Sequence, residues 1–243
     1  MNAQLETGLT AVTVIAASYL IGSIPFGLII GKLKGKDIRK EGSGNIGATN
    51  VTRVIGKGWG KLCFTLDFLK GALPVLIVSY LTPKALFPFL TDLTPAAWQE
   101  YYMNQLPDPL AVLPSLAAFA AVSGHIWPIY LKFKGGKGVS TAAGAILALN
   151  PLALIGAALV WVITFFASRY VSLASILAAC SMPLFVIALS ICTKNRASFP
   201  EIILFFLLAI LTVLKHTSNI KRLREGTESR FEKKVKSKSE FAI

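Results

Sequence analysis

Three polar, glycine-rich segments interrupt an otherwise apolar chain, and their residue types are those that hold phosphate. The first is Glu41-Gly-Ser-Gly-Asn-Ile-Gly-Ala-Thr-Asn-Val-Thr-Arg53. The second begins at Gly124-His125-Ile-Trp-Pro128 and continues through Lys132-Phe-Lys134-Gly-Gly-Lys137-Gly-Val-Ser140-Thr141. The third is His216-Thr-Ser-Asn219-Ile-Lys-Arg-Leu-Arg-Glu-Gly226-Thr-Glu228. Glycines bring backbone N–H groups close to a ligand, cations supply charge, and small hydroxyl or amide side chains complete the hydrogen bonding. Together these make a phosphate cradle. Taken singly, Gly42, Gly44, Gly47, Gly135, Gly136 and Gly138 would only permit tight turns; the cations beside them turn the reading toward anion binding. His216 and Asn219, three apart, share one helix face, and an imidazole with an ordinary pKa near neutrality is the obvious general base. His125, at the end of an apolar run, reads as a structural hydrogen-bonding residue.

Other chemistries are poorly served by the same residues. Gly42-Ser-Gly-Asn-Ile-Gly47 matches GxGxxG formally, but that fingerprint has a mechanism only between a strand and a helix, and here it joins two membrane spans. Lys137 is followed by Gly138, so the GxxxxGK[ST] spacing of a P-loop is absent. An acyltransferase of the HxxxxD type needs an Asp five positions after its His; Tyr130 follows His125 there, and Lys221 follows His216. No Gly-x-Ser-x-Gly elbow is present for a serine acyl-enzyme. Clustered His and carboxylate ligands are missing, so no metal is expected. Cys63, Cys180 and Cys192 lie in or beside apolar runs without CxxC spacing and are given no role beyond packing.

The elements that position these segments follow from composition. Of 243 residues, 54% are hydrophobic and 15% charged, with mean hydropathy +0.62. A soluble domain carries roughly a quarter of its residues charged, so this chain belongs in a bilayer. Apolar runs near the ~20 residues a bilayer requires fall at 9–31, 62–81, 110–131, 171–193 and 200–214. The N-terminus has Glu6 and no Lys or Arg before its apolar stretch, unlike a cleavable signal peptide, so the first run is read as a retained span. The stretch 139–167 would form a helix of roughly 43 Å against a ~30 Å hydrocarbon core, with Asn150-Pro151 interrupting it.

Charge parity decides between one span and two there. Residues 32–61 hold eight basic and two acidic side chains, 82–108 hold one and three, and the tail from Lys215 holds nine and four. The positive-inside rule makes the first and last of these cytoplasmic and the middle one external, with Lys132, Lys134 and Lys137 inside as well. An even number of crossings must then separate Lys137 from Lys215, which requires the split at Asn150-Pro151. The expected fold is an all-α integral membrane protein of seven transmembrane helices. Its N-terminus is external, its C-terminus cytoplasmic, and all three polar segments meet at the cytoplasmic face. Lys194 and Arg196 then fall outside, a cost of this topology. The net charge of +13 divides between topology, a headgroup-attracted tail and the phosphate cradle, leaving no part for nucleic acid.

In order and spacing, the three segments resemble the cytoplasmic motifs of the bacterial acyl-phosphate-dependent glycerol-3-phosphate acyltransferases, the PlsY family. The matching runs are Ser-Gly-Asn-Ile-Gly-Ala-Thr-Asn-Val-x-Arg, then Gly-His-x-x-Pro with Phe-Lys-Gly-Gly-Lys-Gly-Val, then His-x-x-Asn-Ile-x-Arg-Leu-x-x-Gly-x-Glu. The resemblance implies acyl transfer from acyl phosphate to the 1-hydroxyl of glycerol 3-phosphate, giving lysophosphatidic acid and phosphate in the bacterial inner membrane. It also implies the site: Ser43, Arg53, Lys137, His216 and Asn219 as catalytic residues, and Asn45, Thr49, Lys134, Gly135, Gly136, Gly138 and Ser140 as substrate-binding ones. Arg53 and Lys137 would hold phosphate, Ser43 and Asn219 would hydrogen-bond substrate, and either His216 or the substrate's own phosphate would take the hydroxyl proton. Glu228, by pairing with a motif arginine, and Asp67 with Lys70, an i,i+3 ion pair, are read as structural. The expected organisation is a seven-span domain over 1–231, a basic tail over 232–243, no cofactor, lipid as surroundings, and a monomer. The competing class is a small transporter or channel for a phosphate or organic anion, which broken helices would also suit.

Overall fold

The computed structural model describes residues 3–81, 112–192 and 197–231. The expectations on the 82–108 loop, on Lys194 and Arg196, and on the tail 232–243 lie outside them. The described residues form α-helices and one short 3-10 turn, with no strand. In chain order the helices are α1 (Ala3–Gly22), α2 (Phe26–Leu33), α3 (Ala48–Val54), α4 (Lys57–Leu81) and α5 (Leu113–Ile126). Then follow α6 (Val139–Leu149), α7 (Pro151–Ser168), α8 (Val171–Cys192), α9 (Phe199–Lys215) and α10 (Thr217–Arg224).

The break expected at Asn150-Pro151 is present. Pro151 occupies the first turn of α7, where its missing N–H costs nothing, and the Asn150 side chain accepts the Ala153 N–H at 3.0 Å as the cap. The same amide donates to Glu201 at 3.0 Å and so ties this break to the first turn of α9. A second break was not expected: the run 9–31, read as one span, is two helices separated at Ser23-Ile24-Pro25. Pro25 has no N–H for the Ile21 carbonyl, which accepts the Ile24 N–H at 3.2 Å instead, and the helix ends there. Lys70 of α4 donates to the Ile24 carbonyl at 2.7 Å, beside the Phe26 N–H at 3.1 Å, and its ammonium also lies 2.7 Å from Asp67. Lys70 and Asp67 are buried mid-helix, joining α4 to the α1–α2 corner.

Among the described residues, four segments are long and apolar enough to cross a membrane: Gly8–Leu33, Lys57–Leu81, Pro151–Ser168 and Val171–Cys192. A fifth is added if α9 and α10, bent by 56° at His216, count as one. The inside and outside of the molecule are reversed relative to a soluble protein. Large apolar side chains such as Leu152, Leu159, Ile163 and Phe166 face outward along α7, while Ser18, Ser79, Ser115, Thr141 and Ser175 are buried. Lipid tails solvate apolar side chains as well as a protein core does, so helices must associate by close backbone packing and hydrogen bonds. That packing is visible at α4 against α6: a Cβ on Gly144 would collide with the Phe68 carbonyl, and one on Gly71 with the Thr141 carbonyl. Gly22 and Gly124 let α1 and α5 approach in the same way.

Gly144→Val should therefore lower the melting temperature of the detergent-solubilised protein by about 5–10 °C, the range expected for overpacking. Gly58→Ala, where an added Cβ meets nothing within 4 Å, should leave it within about 2 °C of wild type.

Candidate active site

The first polar segment is folded around one buried amide. Asn50, in α3, donates through Nδ2 to the carbonyls of Ile38 (2.8 Å) and Glu41 (3.1 Å), and its Oδ1 accepts the Ser43 N–H at 2.8 Å. Gly42 lies against this amide at φ +60°, where any Cβ would strike Asn50 Oδ1. Asn45 Oδ1 accepts the Gly47 N–H at 2.8 Å, turning the chain into α3. Ser43, Asn45, Thr49 and Arg53 are thereby brought to the wall of one cavity of about 540 Å³. Thr49 and Arg53, four residues apart, use the same face of α3.

The second segment enters the cavity at its end rather than its middle. Gly138, at φ +79°, is the N-cap of α6, and Lys137, Gly138, Val139 and Ser140 line the cavity at that helix start. The partial positive charge of an α-helix N-terminus therefore adds to the Lys137 ammonium. Gly135 and Gly136 are not lining residues: they pack on His125, whose carbonyl accepts the Gly136 N–H at 3.1 Å and whose ring leaves no room for a Cβ at Gly136. Lys134 is exposed and away from the cavity. His125 and Asp67 reach the cavity floor, 3.6 Å apart.

The third segment locks Lys137 in place. Glu228, with a side chain only 6% exposed, accepts from Ser172 Oγ, Asn219 Nδ2 and Arg222 Nε, each at 2.7 Å. Burial alone would raise its pKa, but these donors outweigh burial and hold it below the usual carboxylate range. Because the Asn219 amide nitrogen is committed to Glu228, its Oδ1 faces Lys137 and accepts from the ammonium. Asn219, expected to hydrogen-bond substrate, instead has both ends of its amide engaged within the protein. His216 sits in the bend between α9 and α10, buried, with Nδ1 2.7 Å from the Thr212 carbonyl. A carbonyl can only accept, so Nδ1 carries the proton and Nε2 keeps its lone pair. Burial and then the Lys137 charge push His216 down to about 4, against the opposing Thr212 carbonyl and Glu228. In its neutral form His216 therefore offers an acceptor to the cavity.

Arg53, Lys137 and Arg222 face this cavity against the one carboxylate of Glu228, which Arg222 already engages, since Asp67 is neutralised by Lys70. Burial, then Arg222 and Arg53, lowers Lys137 to about 8, while Glu228 opposes them. The cavity is also lined by Phe64, Trp161 and Val171, and Trp161 Nε1 donates to Ser175 Oγ at 3.2 Å across α7 and α8. Sequence reasoning assigned no role to Asn50, Trp161, Ser172, Ser175, Arg222 or Ser229. Arg222 was visible in the third segment; Trp161 and Ser175 lie in apolar runs with nothing to mark them. Among the described residues no group of three His, Cys, Asp or Glu side chains gathers as a metal site.

A family model described as glycerol-3-phosphate acyltransferase matches residues 12–226. The chain belongs to that family. Curated relatives named glycerol-3-phosphate acyltransferase include one from Trichlorobacter lovleyi, 44% identical over 218 residues (89% of this chain and 95% of the relative). Another, from Aquifex aeolicus, is 41% identical over 223 residues (91% of this chain and 99% of the relative). Crystal structures of PlsY (YgiH), an integral membrane glycerol 3-phosphate acyltransferase, resemble it in a glycerol 3-phosphate form and a lysophosphatidic acid form. Their TM-scores are 0.74 and 0.72, each at 37% identity over 92% of this chain and 96% of that one. The chain is thus an all-helical integral membrane protein of the acyltransferase family.

The depressed Lys137 pKa gives this family member a testable pH response. A bound phosphate dianion favours the ammonium, so the Lys137 pKa is higher in the complex than in the free protein. The Lys137 contribution to affinity for the phosphate dianion should be full below about pH 8 and fall by up to about tenfold per unit above it until the bound-state pKa is reached. Titration calorimetry should show that Lys137→Arg, with a pKa above about 12, removes this limb.

Proposed function

We propose that this chain transfers a fatty acyl group from acyl phosphate to the 1-hydroxyl of glycerol 3-phosphate, releasing lysophosphatidic acid and inorganic phosphate, the first step of phospholipid synthesis. The observation that carries the proposal is the composition of one cavity. Arg53, Lys137 and the α6 N-terminus serve phosphate groups, and Phe64, Trp161 and Val171 serve an acyl chain. A small soluble dianion and an amphiphile with a phosphate head can meet there. The hydroxyl oxygen attacks the acyl carbon, the C–O bond to phosphate breaks, and the departing phosphate leaves as the charged product. The mixed anhydride is already activated, so positioning and charge stabilisation suffice for much of the rate.

Each residue has a role within this reading. Arg53 and Lys137 bind phosphate and stabilise the charge that moves onto it. Ser43, Asn45, Thr49 and Ser140 hydrogen-bond the substrates. Asn219 positions Lys137, while Gly135, Gly136 and Gly138 shape the turn that presents it. Lys134 faces headgroups. His216 Nε2 accepts a hydrogen bond from the attacking hydroxyl and orients it, and its low basicity favours the substrate phosphate as final proton acceptor. We place the chain in the bacterial cytoplasmic membrane with seven crossings over 1–231, the N-terminus external and the C-terminus and cavity cytoplasmic. The charge bias of the loops and the break at Asn150-Pro151 support this arrangement. We take the monomer as the working unit.

Purified protein given glycerol 3-phosphate should release phosphate and a monoacyl lipid with acyl phosphate and not with acyl-CoA. Phosphate uptake into liposomes without acylation would sink the enzyme reading in favour of a transporter. In the same assay His216→Gln, which keeps an acceptor, should retain roughly a tenth of wild-type kcat, whereas His216→Ala should fall at least about tenfold further. An equally deep loss in both would assign the base to His216.

A further inference from the structure

Arg53, like Lys137, is a cavity cation with no carboxylate partner: among the described residues no acid pairs with it. What holds it is the strap that follows α10. Its Nη2 donates to the Ser229 carbonyl at 3.5 Å, and its guanidinium lies over the Phe231 ring, 5.6 Å from the centroid. Phe231 is itself held from two sides. Its N–H donates to the Arg169 carbonyl at 3.1 Å, and its ring meets Phe165 edge-on at 5.9 Å. Phe165 in turn stacks on Trp161, 5.0 Å away, which lines the cavity. Arg230 adds a bond to the Ser168 carbonyl at 3.4 Å and lies 5.1 Å from the Tyr170 ring.

We propose that Phe231 is a positioning residue for Arg53: its ring fixes the plane of the guanidinium while leaving the positive charge uncancelled for a phosphate group. A carboxylate partner would fix the plane as well, but it would neutralise the field that the phosphate needs. The negative face of an aromatic ring attracts a cation within ~6 Å without carrying net charge, and it shields one side of the guanidinium from water. The free N–H edges then point where Phe231 and Ser229 do not. Phe231 lies beyond residue 226, where the family match ends, so the match gives it no role. Through Phe165 the same ring also connects Arg53 to Trp161, and hence the phosphate part of the cavity to its apolar part.

The proposal rests on the acyl-transfer reading, and its test separates the two. Phe231 is replaced by Leu, by Tyr, and by phenylalanines carrying one, two and three ring fluorines, which keep shape while draining the negative face. Steady-state kcat and KM for glycerol 3-phosphate and acyl phosphate are then measured with the melting temperature in detergent. Phe231→Leu should raise KM for one of the two phosphate substrates about five- to tenfold, with a smaller change in kcat. Phe231→Tyr should stay within about twofold of wild type, and log KM should rise stepwise with fluorine number at unchanged melting temperature. Fluorinated proteins with wild-type KM would overturn the proposal, as would a Leu variant whose only defect is a lowered melting temperature. Wild-type protein that forms no monoacyl lipid would instead overturn the acyl-transfer reading, whatever the Phe231 variants do.

Discussion

The buried carboxylate of Glu228 is the point through which the polar segments act on one another. A charged oxygen pair taken out of water is costly unless its lone pairs are filled. Here Ser172 from α8, Asn219 and Arg222 from α10 fill them. The same bonds close the strap onto the helix bundle and decide which way the Asn219 amide points. Lys137 is then held by the amide oxygen rather than by a carboxylate, so it keeps the charge a phosphate requires. Removing Glu228 would free the amide to turn, and the lysine would lose its fixed place without any change in its own neighbours along the chain.

Three cations and one shared carboxylate around a single cavity repel one another, and the fold must hold them together before any substrate arrives. The cost is visible at Lys137, whose pKa is driven down to about 8 by burial and by the two arginines. A phosphate monoester brings roughly 1.5 to 2 negative charges at neutral pH. Two phosphate-bearing substrates would more than neutralise the excess, so the cations are most comfortable with the cavity full. Preorganised charge of this kind needs no rearrangement at the moment of reaction, which is where electrostatic stabilisation is most effective.

The three polar segments were legible because glycines, amides and cations have no place in a bilayer span unless they do something there. Their order and spacing sufficed for the family, and Asn150-Pro151 together with the charge parity of the loops sufficed for the split between α6 and α7. Sequence reasoning failed where the decisive contact was distant in the chain. The break at Ser23-Ile24-Pro25 lies inside a continuous apolar run, and the side chain that braces its Ile24 carbonyl is Lys70, 46 positions on. Nothing local to Asn219 shows that Glu228 takes its amide nitrogen and Lys137 its oxygen. The ranking of Lys137 over Lys134 depends on His125 filling the space beside Gly136 and on the left-handed Gly138 that starts α6. Trp161 and Ser175 carried no signal at all: an aromatic and a hydroxyl within apolar helices look like packing until the cavity wall is seen.

The short helices have a physical reason to be where they are. An 11-residue α6 spans ~16 Å, too little to cross a ~30 Å hydrocarbon core alone, so one of its ends must fall within the depth of the membrane. Unsatisfied backbone at that depth is tolerated only when buried in protein or facing a polar cavity. At its start α6 presents Gly138, Val139 and Ser140 to the cavity, and at its far end Asn150 caps α7 and reaches Glu201. The N–H groups that would be a liability against lipid thus become donors for an anion. On the proposed reading, ending a helix inside the membrane and binding phosphate there satisfy the same requirement, because the start of α6 leaves N–H groups that need acceptors.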